Sequence, residues 1–157
     1  MDAPPIIPRP LHAQRLPGRC LLPPCITIAC HGEAAPGIAR YLAAFLEELD
    51  LRVDVQAAAG DGGAAAAAGA PPGAPPAGAR LVLAHAPGSV AELAALPHAG
   101  EAYELRAGEA GVAVRALAPH GLFNGVVSLL QLLPARAPLD ADVALDCVHV
   151  RRPAPPV

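Results

Sequence analysis

Four cysteines, six histidines and fourteen carboxylates are the side chains of this 157-residue chain with reactive potential. Cys20, Cys25, Cys30 and Cys147 fall at spacings that match no CxxC zinc or redox motif. The run Cys25-Ile26-Thr27-Ile28-Ala29-Cys30 reads as a strand, and successive strand side chains point to opposite faces. An offset of five therefore separates Cys25 from Cys30, so the two do not share a metal. His31 and His149 lie close to Cys30 and Cys147, which makes a cross-strand zinc site a rival to the plainer reading of small, buried strand residues. The plainer reading is preferred, because free Cys is commonly a core residue. His85 and His120 invite acid-base chemistry, but the sequence places no carboxylate partner beside either. Glu47-Glu48 is the one adjacent acidic pair, and it falls on the wet side of a helix. Gly60-Asp61-Gly62-Gly63 lacks the Lys-Ser/Thr ending of a phosphate loop. No catalytic, cofactor or metal site is expected.

Composition narrows the class further. The formal charge is −3, and all 11 basic residues are Arg. An all-Arg, Ala- and Pro-rich chain reads as compositional bias, not as a functional arginine cluster. With two Tyr, two Phe and no Trp, the chain lacks a base-stacking platform, so no nucleic-acid partner is expected. No apolar run approaches the roughly 20 residues of a membrane span. The start, Met1-Asp2-Ala3-Pro4-Pro5, has neither the basic nor the apolar region of a secretory signal, and localisation stays open.

Hydrophobic periodicity supplies the elements. After the Pro-rich leader, two strands are expected near Leu11 to Leu16 and Cys25 to Cys30, punctuated by Pro17-Gly18 and Pro23-Pro24. Ile38, Tyr41, Leu42, Phe45, Leu46 and Leu49 form the stripe of an amphipathic helix, with Pro36 in its first turn. Leu51, Val53 and Val55 alternate as a half-buried strand. Residues 57–79 hold only Ala, Gly, Pro and Asp61, and read as a low-complexity insertion without enough apolar bulk to pack. A strand follows at Arg80 to His85. Tyr103 to Arg106 and Val112 to Ala116 form a hairpin around Gly108 to Gly111. A second helix runs from about His120 to Leu133 and stops at Pro134. A last strand spans Val143 to Val150, and 151–157 is a Pro-rich tail. The expected fold is therefore a single α+β domain over 1–150. Its sheet is mostly antiparallel, with six or seven strands, and two helices pack on one face.

Three segments carry a resemblance. They are Glu101-Ala102-Tyr103-Glu104-Leu105-Arg106, then Gly111-Val112-Ala113-Val114-Arg115-Ala116, then Gly121-Leu122-Phe123-Asn124-Gly125-Val126-Val127-Ser128-Leu129-Leu130-Gln131-Leu132-Leu133-Pro134. Together with Ile7-Pro8-Arg9-Pro10 and Ala39-Arg40-Tyr41-Leu42, the chain resembles the non-catalytic N-terminal domain of family-20 glycoside hydrolases, the β-N-acetylhexosaminidases. The resemblance implies removal of terminal N-acetylhexosamines from glycans. Glu of an Asp-Glu pair acts as acid, Asp orients the acetamido group, and that group attacks the anomeric carbon. In the family that pair sits in a TIM barrel of about 250 residues. Leu145 to Pro153 resembles the junction to it, and the chain stops where the barrel would begin. No catalytic residue transfers, and the chain is expected to be inactive alone.

The second helix gives the partner expectation. Gly121 to Ala135 carries no charge, and its large apolar residues surround the axis, as in an interior helix. The strip Asn124, Ser128 and Gln131, together with Leu132, is the expected domain interface. Its partner is the catalytic barrel, in cis or in trans, or a second copy. A structural, carbohydrate-binding or protein-binding module is the alternative function.

Overall fold

The computed structural model describes Ile6 and residues 12–57, 81–85, 99–109, 111–134 and 143–152. In chain order these form β1 (His12–Leu22), β2 (Cys25–His31), α1 (Ala35–Glu48), β3 (Arg52–Ala57) and β4 (Leu81–His85). A short 3-10 turn (Ala99–Glu101), β5 (Tyr103–Gly108), β6 (Gly111–Ala116), α2 (Pro119–Leu132) and β7 (Val143–Arg152) follow. β7 takes in Arg151 and Arg152, which were expected in the tail. The rest of the tail, the leader apart from Ile6, and all of the expected insertion except Ala57 lie outside the described residues.

One sheet joins all seven strands in the order β1-β7-β5-β6-β4-β2-β3. The sheet is mixed, which corrects the expectation of a mostly antiparallel one. β2 runs parallel to β3 and to β4, and β4 runs parallel to β6. The antiparallel pairs are β5 with β6, β5 with β7, and β1 with β7. The cause is connectivity: α1 carries the chain from β2 back across the sheet, so β3 enters in the same direction. The β5–β6 turn is a hairpin, as its glycines suggested. A sign of the parallel half was present in Leu81-Val82-Leu83-Ala84, which is buried without alternation. Parallel strands covered on both faces read as continuous apolar runs.

β1 also departs from expectation. Pro17-Gly18 interrupts the strand without ending it, and Leu16, Pro17 and Gly18 stand against Cys147 alone between the pairs Arg15–Val148 and Arg19–Asp146. An edge strand tolerates a proline at a bulge, and Gly18 takes φ +95° there.

Both helices pack on one sheet face. Leu42 and Leu46 of α1 and Leu122, Val126 and Leu129 of α2 share one core with Ile26, Ile28, Leu83, Leu105 and Val114. Gly121 and Gly125 allow α2 to come this close. A Cβ on Gly121 would lie 2.3 Å from the Ala102 carbonyl oxygen, and one on Gly125 would lie 2.4 Å from Val114 Cγ1. α2 stops because Leu133, ahead of Pro134, is extended at φ −75° and ψ 145°.

Candidate functional site

α1 and α2 lie side by side, and the surface they present away from the sheet is aromatic. Tyr41 sits one turn before Phe45 on α1, and the two rings meet at 5.1 Å. Phe123 of α2 reaches across to Tyr41 at 5.2 Å. Each of the three is 37–40% exposed, although two of them, Tyr41 and Phe45, stand on the stripe that the periodicity assigns to the core. Leu42 and Leu46 are the core residues of that helix instead. The half-buried Val127, one turn after Phe123, extends the outward face of α2.

The four residues expected to meet a neighbouring domain do not share one surface. Ser128 is 2% exposed, and its hydroxyl is hydrogen-bonded to that of buried Tyr103. This corrects its assignment: a side chain already covered by its own sheet cannot meet a second domain. The mistake came from reading Asn124, Ser128 and Gln131 as an outward strip, when Ser128 lies on the same side of the helix as the two glycines. Leu132 is half-buried and packs against the core. Asn124 is half-buried and donates from Nδ2 to the Glu101 carbonyl oxygen at 3.4 Å. Gln131 is half-buried.

The candidate chemical groups stay apart. Among the described residues no three His, Cys, Asp or Glu side chains gather to hold a metal ion. Burial pushes the Cys30 thiol up to about 11, against a small opposing pull from Arg40. Burial likewise raises Cys147, with Glu109 and Asp146 adding to it. Neither is a thiolate nucleophile at neutral pH. His120 does have a carboxylate neighbour that the sequence reading missed: Glu101 lies 4.0 Å from its Nδ1, but both side chains are well exposed. Such a pair has no water-excluded site in which to act.

The densest electrostatic cluster was not foreseen, because the arginines read as bias. It lies on the sheet face away from the helices. Glu104 of β5, 2% exposed, accepts from Arg115 Nη2 of β6 at 2.5 Å and from Arg151 Nε of β7 at 3.0 Å. Arg106 Nε lies 3.5 Å from the same carboxylate. His149 Nε2 lies 3.4 Å from it without making a hydrogen bond. Burial pushes the Glu104 carboxyl up, but the Arg115 bond and charge and the Arg151 bond outweigh that and hold it at about 2. Burial keeps His149 below its ordinary value, and Arg106 and Arg151 reinforce this against the pull of Glu104. Strand alternation was the available signal, since it puts residues 104, 106, 113 and 115 of the hairpin on one face.

Comparison with known proteins places this architecture. The family model for glycosyl hydrolase family 20, domain 2, matches residues 3–151. No curated protein matches the chain by sequence. Among solved structures, a Streptomyces plicatus β-hexosaminidase in complex with N-acetylglucosamine superposes with a TM-score of 0.69 at 23% identity, over 98% of this chain and 27% of that one. The exo-β-N-acetylglucosaminidase of Vibrio harveyi gives 0.67 at 16% identity, over 97% of this chain and 19% of that one. The β-N-acetylhexosaminidase of Streptomyces coelicolor A3(2) gives 0.64 at 23% identity, over 94% and 26%. At these identities the likeness is one of fold, and the chain spans about a quarter or less of each enzyme's length. The match over 3–151 covers both helices and all seven strands except the last residue of β7, and on that ground the chain belongs to glycosyl hydrolase family 20, as its domain 2.

Proposed function

We propose that this domain serves a β-N-acetylhexosaminidase as its non-catalytic N-terminal part, and that its helix layer docks against a catalytic barrel, in cis or in trans. The observation that carries the reading is the aromatic surface of Tyr41, Phe45 and Phe123. Three large rings at 37–40% exposure form a contiguous apolar patch on a layer whose other side is filled by the sheet. Tyr41 meets Phe45 at an interplanar angle of 64° and Phe123 at 48°, so the rings pack on one another. They offer no single flat platform for a sugar, which argues against the carbohydrate-module alternative. Asn124 and Gln131 flank the patch and supply its polar rim. The chemistry belongs to the barrel in this reading: among the described residues the one adjacent acidic pair, Glu47-Glu48, is exposed on α1.

The test is a chromogenic N-acetylglucosaminide offered to the purified chain, alone and mixed with a family-20 barrel made separately. No turnover above blank is expected from the chain alone. Added chain should raise the thermal stability of the barrel, and the F45E/F123E double variant should not. Activity that stays with the chain through purification and disappears when the chain itself is mutated would overturn the reading.

A further inference from the structure

The seven-stranded sheet ends in two edges, and they are built differently. β1 carries Pro17 and the bulge beside it, which interrupt further pairing along that edge. β3, at the other end, has neither, and among the described residues no strand lies beyond it. One hydrogen bond fixes which way its backbone faces. Arg52 donates its N–H to the Pro24 carbonyl oxygen at 2.7 Å, so residue 52 turns its backbone groups toward β2. Successive residues of a strand turn their N–H and C=O groups to alternate sides. Val53 and Val55 therefore present theirs outward, as a short template for another strand.

The side chains around these groups are sorted by face. Val53 and Val55 are half-buried and pack against the core on the helix side. Arg52 and Asp54 are exposed on the other side, where the register sets them against Cys25 and Thr27. A shallow depression lies among these four side chains. Gln56 Nε2 donates to Asp54 Oδ2 at 2.7 Å and steadies that carboxylate. Among the described residues neither Arg52 nor Asp54 joins an ion pair. The edge thus offers two valine backbones flanked by one positive and one negative charge, two residues apart.

From this edge we propose that β3 takes up an extended peptide as an eighth, antiparallel strand, and that the peptide reads basic, apolar, acidic. In that direction the apolar residue exchanges both backbone hydrogen bonds with Val53. Its two neighbours stand opposite Asp54 and Arg52 as non-hydrogen-bonded pairs, where side chains come closest. The residue before it meets Asp54 and is the cation; the residue after it meets Arg52 and is the anion. Apolar residues opposite Val53 and Val55 cover the exposed part of the valines. In strand addition of this kind the main-chain bonds give affinity and the alternate side chains give specificity. A second copy of the chain fits less well, although Arg52-Val53-Asp54 is itself basic, apolar, acidic. Two copies paired about Val53 set Leu51 of one against Val55 of the other, and the Leu51 N–H is already given to the Leu46 carbonyl oxygen. Pairing about Asp54 sets the two carboxylates against each other.

Fluorescence polarisation of labelled heptapeptides with the whole chain tests this. Thr-Val-Lys-Val-Glu-Val-Thr should bind about tenfold more tightly than Thr-Val-Glu-Val-Glu-Val-Thr, which turns one attractive cross-strand pair into a repulsive one. The charge-swapped R52E/D54R chain should instead prefer Thr-Val-Glu-Val-Lys-Val-Thr. N-methylation of the central valine of the first peptide removes its donor to Val53 and should weaken binding about tenfold. Bound peptide should also slow amide hydrogen exchange at Val53 and Val55. Val53→Pro removes an outward N–H and spares the ladder to β2, so it should lose the peptide while the circular dichroism of the fold persists. Equal binding of the first two peptides would overturn the proposal, as would indifference to N-methylation, which would show plain ion pairing. Preference of the wild-type chain for Thr-Val-Glu-Val-Lys-Val-Thr would overturn the antiparallel direction. An F45E/F123E chain that dimerises, and stops doing so with Val53→Pro added, would make a second copy the occupant and overturn the peptide.

Discussion

Glu104 shows how far a single position depends on its cross-strand neighbours. In sequence it is one acid among fourteen, and in the sheet it is the hub of three strands. Its carboxyl is held at about 2 against an ordinary 4.5, so between those values the unfolded chain takes up a proton that the folded chain refuses. Stability from this group is complete above about pH 4.5 and is lost as pH falls toward 2. His149 acts in the same direction higher up. Its pKa is lowered, the folded chain keeps it neutral, and stability erodes as pH drops below its ordinary 6.5. Thermal unfolding followed by circular dichroism should therefore show Tm declining below pH 6.5 and declining more steeply below 4.5. His149→Asn should flatten the upper part, and Glu104→Gln should remove the lower break. At pH 7 Glu104→Gln should cost about 3–5 kcal/mol, because it removes the buried counter-charge of the largely buried Arg115. A Tm unchanged by Glu104→Gln at neutral pH would show that the arginines pair elsewhere.

At the scale of elements, α2 is the piece whose sequence and packing agree most closely. Gly121 and Gly125, one turn apart, mark the strip that meets the sheet, and the Tyr103–Ser128 hydrogen bond locks that contact. Gly125→Ala should destabilise the domain by about 1–3 kcal/mol, since the new methyl meets Val114 and Tyr103 in a filled core. Chemical denaturation measures it, and a neutral outcome would mean that α2 can slide outward. The same logic gives the opposite expectation for residues 58–79, which lie outside the described structure. Shortening them to a turn should shift stability by about 1 kcal/mol or less, because loop closure depends only logarithmically on length. Element types and their order were legible because period 3.6 and period 2 are local signals. Strand direction was not, since nothing in Val53 or Leu83 states which way the neighbouring strand runs. The continuous burial of β4 was the one clue. The sheet-facing side of α2 was half legible: the glycines mark it, but the small hydroxyl of Ser128 passed for a surface residue until its partner Tyr103 was in place.

For the whole molecule, the helix layer sets the expectation about association. The aromatic patch favours burial against another surface, whether a barrel or a second copy of the chain. The corrected placement of Leu132 matters for testing this. From Phe123 to Leu132 is nine positions, and at about 100° per residue that is half a turn away from the outward ring. A charge at Leu132 would strike the core and confuse unfolding with loss of association. Phe45 and Phe123 are the proper positions, since both are exposed and neither belongs to the core. Sedimentation velocity of the isolated chain should show a monomer–dimer shift with concentration, accompanied by binding of a hydrophobic dye. F45E/F123E should hold the chain monomeric and dark to the dye while leaving its unfolding cooperative. L132E should instead lower Tm. Arg106→Gln, on the opposite side of the sheet, should leave self-association unchanged. A wild-type chain that sediments as a monomer at high concentration without binding the dye would show that Tyr41, Phe45 and Phe123 satisfy one another, and docking through this layer would fall with it.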